Sequence, residues 1–159
     1  MSDVEAQTVQ ARTLAAVRRE VAPRDVGAAW GPAVGKVWEF IRSQPGLWNG
    51  GHNIFVYRRQ HPQGALLQCD FGVEVTRRFE RNGEVYATET PAGEAAVAVH
   101  RGPYNTLNEA YEAIGAWLTA NRRQSAGATW EIYGDPTPDP ADTETTVLQL
   151  LEPRPTPLG

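Results

Sequence analysis

The clearest periodic signal in the chain is a stripe made by Leu107, Ala110, Tyr111, Ile114, Trp117 and Leu118, which recur at the 3.6-residue spacing of a helix. Thr106 with Glu109 three residues on has the form of a capping box, and the basic pair Arg122 and Arg123 suits a helix carboxyl end. A second helical spacing, through Val34, Val37, Trp38 and Ile41, follows Gly31-Pro32 and stops at Pro45-Gly46. The other apolar runs read as strands. Residues 8–21 are rich in β-branched and small side chains without a helical period, and Pro23 closes them. Residues 53–59 and 66–76 read as two strands joined across the HPQG segment, 61–64. After a turn at Asn82-Gly83, residues 85–100 resume an extended pattern that breaks at Pro91 to Gly93. Gly127 precedes a strand through Trp130 and Tyr133, and the proline-rich loop 135–142 leads to a last strand ending at Pro153. The segment from Arg24 to Trp30 carries no decisive pattern.

Each half of the chain therefore reads strand, helix, strand, strand, with Tyr57 after the first helix matching Tyr133 after the second. The repetition of elements predicts an internal duplication, with halves at about 5–79 and 84–153 in a single domain of 1–159 and a loose tail at 154–159. The predicted fold class is α+β: two β-α-β-β units forming one curved antiparallel sheet, with both helices on one face and a ligand cleft on the other.

Composition narrows the function. The 159 residues carry a formal charge of -4, so the basic surface that nucleic-acid binding requires is missing. The chain is expected not to bind duplex DNA at moderate salt; a salt-sensitive submicromolar complex in a gel-shift titration would overturn this. No apolar run approaches the ~20 residues of a membrane span, and the amino-terminal residues lack a signal-peptide pattern, so a cytoplasmic protein is expected. The single cysteine, Cys69, excludes an internal disulfide. His52, His61 and His100 are too scattered to form a local metal site, so neither metal nor cofactor is expected.

The segments 98–118 and 128–136 carry a resemblance. An aliphatic strand ends in HRGPY (His100 to Tyr104), a helix holds the Glu-Ala-Tyr and Trp-Leu pairs (Glu109 to Tyr111, Trp117-Leu118), and a strand with Glu131 and Tyr133 runs into the turn Asp135-Pro136. This pattern resembles the GyrI-like domain, also found as the effector-binding domain of AraC-type and MerR-type transcription regulators. The resemblance is strong from about Phe71 to Pro136 and extends more weakly upstream. It implies two pseudo-symmetric halves, a hydrophobic cleft at their junction, and a glutamate on the cleft floor that meets cationic or polar groups of varied ligands. Since the domain pattern starts almost at once, no helix-turn-helix is expected ahead of it.

Strand alternation places Trp130 and Ile132 on one face and Glu131 and Tyr133 on the other; if the tryptophan face meets the helices, the glutamate faces the groove. By itself the sequence favours reading Glu131 as a solvated strand residue; the resemblance reverses this and assigns it to the cleft floor, where a carboxylate among rings selects cations and hydrogen-bond donors. Tyr104, in the turn before the second helix, offers a ring face and a hydroxyl at the cleft mouth. Trp48, in a glycine-rich connection, is a candidate wall. Phe55, Tyr133 and Asp70 complete the candidate ligand-binding set, while Trp117 and Trp38 read as core. Trp117→Ala is then expected to cost about 3 to 5 kcal/mol.

The functional expectation is a binding module that sequesters or senses hydrophobic, often cationic aromatic compounds. Three alternatives stay open. The resemblance implies a hydrolase of strained, cyclopropane-bearing DNA-alkylating compounds, with Glu131 and Tyr104 as acid-base groups, although no nucleophile-base pair is legible. It also implies a protein-protein module acting on DNA gyrase, or beside a separate regulator. Haem-binding proteins of the SOUL type share the fold, but the scattered histidines argue against a tetrapyrrole.

Overall fold

The computed structural model describes residues 3–59 and 66–154, leaving the HPQG connection, its histidine and most of the expected tail outside the described residues. Eight strands and two helices follow one another as β1 (Val4–Val9), β2 (Thr13–Val21), α1 (Val26–Arg42), β3 (Asn53–Arg59), β4 (Leu67–Glu74), β5 (Val85–Glu89), β6 (Gly93–Arg101), α2 (Asn108–Asn121), β7 (Ser125–Tyr133) and β8 (Glu144–Leu151). All pairings are antiparallel, and the sheet order is β1-β6-β8-β7-β3-β4-β2-β5. Read from the opposite edge, the order is unchanged if β1 to β4 are exchanged with β5 to β8. The two halves meet at the β3-β7 pair.

The single strand expected at 8–21 is two strands. β1 crosses to the far half and pairs with β6, as β5 crosses back to pair with β2. Composition shows extended backbone but not its partner, because pairing is decided by which edge is free.

Both helices lie on one face. α1 buries Ala33, Val34, Val37, Phe40 and Ile41 over Val17, Phe71 and Val73, and α2 buries Ala110 and Ile114 over Ala96, Ala98 and Val147. The other face curls onto itself: Leu14 of β2 and Ala95 of β6, far apart in sheet order, share a cluster with Ile54, Val56, Trp130 and Leu148. The α+β sheet with two helices thus stands as expected, while the open space lies elsewhere than expected. The helix-free face is closed by its own side chains, and the principal cleft opens on the helix-bearing face, between α1 and α2. Trp130 accordingly faces away from the helices, and Glu131 faces toward them.

Three further differences are local. α1 starts at Val26, so the undecided segment becomes a turn of 3-10 helix (Pro23–Asp25) and the first turn of α1, with Pro32 inside the helix. An internal proline costs one backbone hydrogen bond, and the five side chains that α1 buries outweigh that loss. The capping box does not form: Thr106 Oγ1 lies 3.0 Å from His100 Nε2 and donates to the Pro103 carbonyl at 2.9 Å, and α2 begins only at Asn108 after a 3-10 turn, Tyr104–Thr106. On α2, Trp117 is half-buried and Tyr111 is exposed, so the apolar stripe is only partly covered. Trp117→Ala is therefore expected to cost about 1 to 2 kcal/mol rather than a full core aromatic; urea unfolding with an unchanged slope against denaturant measures it.

Candidate functional site

The site is built outward from the β3-β7 pair, where Phe55 stands directly opposite Glu131. The shift along the chain that carries Tyr57 onto Tyr133 also carries Phe55 onto Glu131, so the pseudo-two-fold axis passes between a ring and a carboxylate. Two residues along each strand, Tyr57 and Tyr133 point to the same face.

Glu131 is 5% exposed. Its carboxylate accepts hydrogen bonds from the hydroxyls of Tyr57 at 3.4 Å, of Tyr133, and of Tyr111, which reaches down from α2. Burial pushes the Glu131 carboxyl above its ordinary value, and the three phenol hydrogen bonds, which favour the charged form, offset that only in part. Burial likewise pushes all three tyrosines upward, helped by the neighbouring carboxylate, so they remain hydrogen-bond donors.

Above this floor lies a cleft of about 640 Å³. Trp30 and Trp38 of α1 form one wall and Trp48 continues it, while Tyr104 and Leu107, in the turn leading into α2, form the other. The rings contact in series: Trp30 on Phe55 with centroids 5.9 Å apart, Phe55 on Tyr133 at 4.9 Å, Tyr133 on Tyr104 at 5.6 Å, and Trp38 on Trp48 at 5.5 Å. Two indoles are anchored by their N–H groups, Trp38 to Asn53 Oδ1 at 3.1 Å and Trp48 to the Gly51 carbonyl at 2.7 Å. Trp30, Trp48 and Tyr104 remain 43%, 44% and 56% exposed, so a contiguous aromatic surface faces the opening. At the rim His52 Nε2 lies 2.9 Å from Asp135 Oδ1. Among the described residues lining the cleft none is Lys or Arg.

Two glycines permit this mouth. A Cβ at Gly51 would stand 2.1 Å from the Glu74 carbonyl oxygen, and one at Gly134 would stand 2.7 Å from that of Glu144, so backbone passes backbone at both positions.

Of the residues singled out from sequence, the structure brings together Glu131, Tyr133, Tyr104, Trp48 and Phe55. Asp70 is elsewhere. It is fully buried on the opposite face, held by Arg18 Nε and Nη2 at 3.0 and 3.1 Å, by Arg58 Nη1 at 2.9 Å and by the Tyr86 hydroxyl. The Asp70 hydrogen bond raises the Arg18 guanidinium, and burial first, then Asp70, pushes Tyr86 up to about 12. Asp70 follows the parity of its strand, which opposes that of Phe71. Other cleft or floor residues were not legible as such, among them Trp38, Tyr111, Trp30 and Tyr57. Trp38 and Tyr111 lie at helical spacing that reads as core, Trp30 stands in what reads as a glycine-rich connection, its ring either an edge plug or a wall, and Tyr57 is visible only as the counterpart of Tyr133.

An enclosed aromatic cleft between two helices of a pseudo-symmetric sheet defines a small-molecule-binding domain. A family model of the GyrI-like small molecule binding domain matches residues 2–149, and the chain belongs to that family. Comparison with curated protein sequences gives no significant match. Among solved structures, the C-terminal domain of EcmrR is 19% identical, with a TM-score of 0.78 over 96% of this chain and 98% of that one. SAV2435 bound to tetraphenylphosphonium is 9% identical, with a TM-score of 0.72 over 94% of each chain. A hydrolase encoded by lin2189 from Listeria innocua is 12% identical, with a TM-score of 0.65 over 94% of this chain and 91% of that one. At these identities the likeness is one of fold. No helix among the described residues is long and apolar enough to cross a membrane.

Proposed function

We propose that the chain binds hydrophobic cations, aromatic ones above all, in the cleft between α1 and α2, with Glu131 as the charge that selects them. The observation that carries this reading is one buried carboxylate at the floor of an aromatic cleft whose described lining holds no Lys or Arg. A cation entering such a site meets ring faces at the walls and an anion at the floor, both poorly solvated, where electrostatic attraction is stronger than in water. The ligand bound to SAV2435, tetraphenylphosphonium, is of that class, which supports the reading by analogy of fold. Calorimetric titration of the protein with tetraphenylphosphonium and with a neutral tetraaryl compound of similar shape tests it. Saturable binding of the cation with much weaker binding of the neutral compound supports the proposal, and equal binding removes the role of charge.

One observation favours a second reading. A carboxyl that keeps its proton above the ordinary range beside three phenol donors is suited to acid-base work on a polarised bond. Turnover of a strained-ring compound by the wild-type protein, with turnover lost but binding kept in Glu131→Gln, would make the chain a hydrolase.

A further inference from the structure

A second cavity, of about 470 Å³, opens on the far side of Glu131 and shares with the main cleft Val26, Tyr57 and Glu131 itself. It is the pseudo-symmetric counterpart of that cleft. The main cleft is bordered by the connection after α1 and the 3-10 turn ahead of α2; the second is bordered by the first residues of β7, at Ser125 and Gly127, and the entry into α1, at Pro23 and Val26. Tyr111, donating from α2 to the Glu131 carboxylate, stands on the second cavity's side.

The two compartments differ in chemistry. The main cleft is aromatic with Asp135 at its rim, and the shift that carries Tyr57 onto Tyr133 carries Arg59 onto Asp135. Arg59 lines the second cavity, is exposed, and has no carboxylate partner among the described residues. Its polar wall is already ordered: Thr129 Oγ1 donates to Gln149 Oε1 at 2.8 Å, and Gln149 Nε2 donates to Ser125 Oγ at 2.6 Å. Symmetry-related positions therefore carry opposite charges on either side of one central carboxylate.

We propose that the second cavity is a subsite for an anionic arm, and that the chain takes dipolar ligands: a cationic aromatic body in the main cleft against Glu131, and a carboxylate-type arm beside Tyr111 against Arg59. This rests on the reading of the main cleft as a cation site. The span sets the ligand's length. Phe55, opposite Glu131, and Arg59 are four residues apart on β3, which at ~3.3 Å per residue is about 13 Å. A charge separation of that order, less the reach of the arginine side chain, fits both partners at once.

The test compares two probes on one body, a triphenylphosphonium bearing a long ω-carboxyalkyl chain and its methyl ester, by calorimetry on wild type, Arg59→Met, Arg59→Glu and Glu131→Gln. The acid is expected to bind wild type about fivefold tighter than the ester, the upper range for a partly exposed charge contact. Arg59→Met should abolish that preference without changing the ester, and Arg59→Glu should reverse it. Equal binding of acid and ester to wild type, or an Arg59→Met loss shared by both probes, overturns the subsite alone. Ester binding that is absent, or unchanged in Glu131→Gln, overturns the main reading and the subsite with it. Arg59 is exposed at the end of β3, so these variants fold; unchanged circular dichroism verifies that they do.

Discussion

Glu131→Gln is expected to weaken binding of a hydrophobic cation by tenfold or more while leaving a neutral analogue of the same shape almost unaffected. The substitution keeps the volume and one acceptor oxygen next to Tyr57, Tyr111 and Tyr133, turns the other acceptor into an N–H donor to which a phenol oxygen can accept, and removes the charge. Loss of a poorly solvated charge contact commonly costs at least ~1.4 kcal/mol, a factor of ten in affinity. The pH dependence sharpens this. Glu131 is raised above its ordinary value by burial, so in the free protein it holds its proton over a window in which an unfolded chain has released it. Cation affinity in the wild type should therefore rise with pH through that window, as the carboxyl ionises, and the Gln variant should show a flat profile. Stability moves the opposite way. In that window the folded state binds the extra proton, so wild-type stability falls as pH rises from the ordinary carboxylate value through the raised one, and the full penalty remains above it. Glu131→Gln lacks the titration and should match the wild type at low pH and equal or exceed it at neutral pH. Calorimetry with both ligands and thermal unfolding across pH measure these effects. Equal weakening of both ligands would make Glu131 a structural residue, and no change in either would place recognition elsewhere.

Trp130→Ala is expected to cost about 3 to 5 kcal/mol, a large share of the ~5–15 kcal/mol that holds an ordinary domain folded. Trp130 is 2% exposed and is the largest of the fully buried side chains. It fills the closed face between Leu14, Ile54, Val56 and Leu148. Its removal would leave a cavity that strands from both halves enclose, where relaxation in one half is resisted by the other. Trp130→Phe, retaining most of the ring, should lose markedly less. A loss below ~1 kcal/mol, typical of surface positions, would show that the curled face is not a core. Trp117, which the helical stripe alone ranks as the core tryptophan, is half-buried on α2 and should matter less than Trp130.

These two residues show what could be read ahead of the structure. Alternation along 129–133 separates Trp130 from Glu131 with certainty, because successive side chains on a strand must point oppositely. It does not say which face the helices take. The natural guess that the helices cover the tryptophan fails, since a sheet curled far enough covers one face with its own strands and leaves the other for helices and cleft. Asp70 was misread for the same reason. Strand alternation sets it opposite Phe71, but that parity gains a meaning only where Arg18 and Arg58 on neighbouring strands enclose it.

The α2 stripe, the repeated order of elements, the tyrosine correspondence, the net charge of -4 and the family motif at 98–136 were all determined by sequence, because each is a local or compositional property. The crossing of β1 and β5 between halves, the curl that buries Trp130, the convergence of Tyr57, Tyr111 and Tyr133 on one carboxylate and the use of Trp30 and Trp38 as a cleft wall were decided only by tertiary structure. Helical and strand periods report which residues share a face. They carry no information on which distant face will meet it, and a cleft is made of faces that meet incompletely.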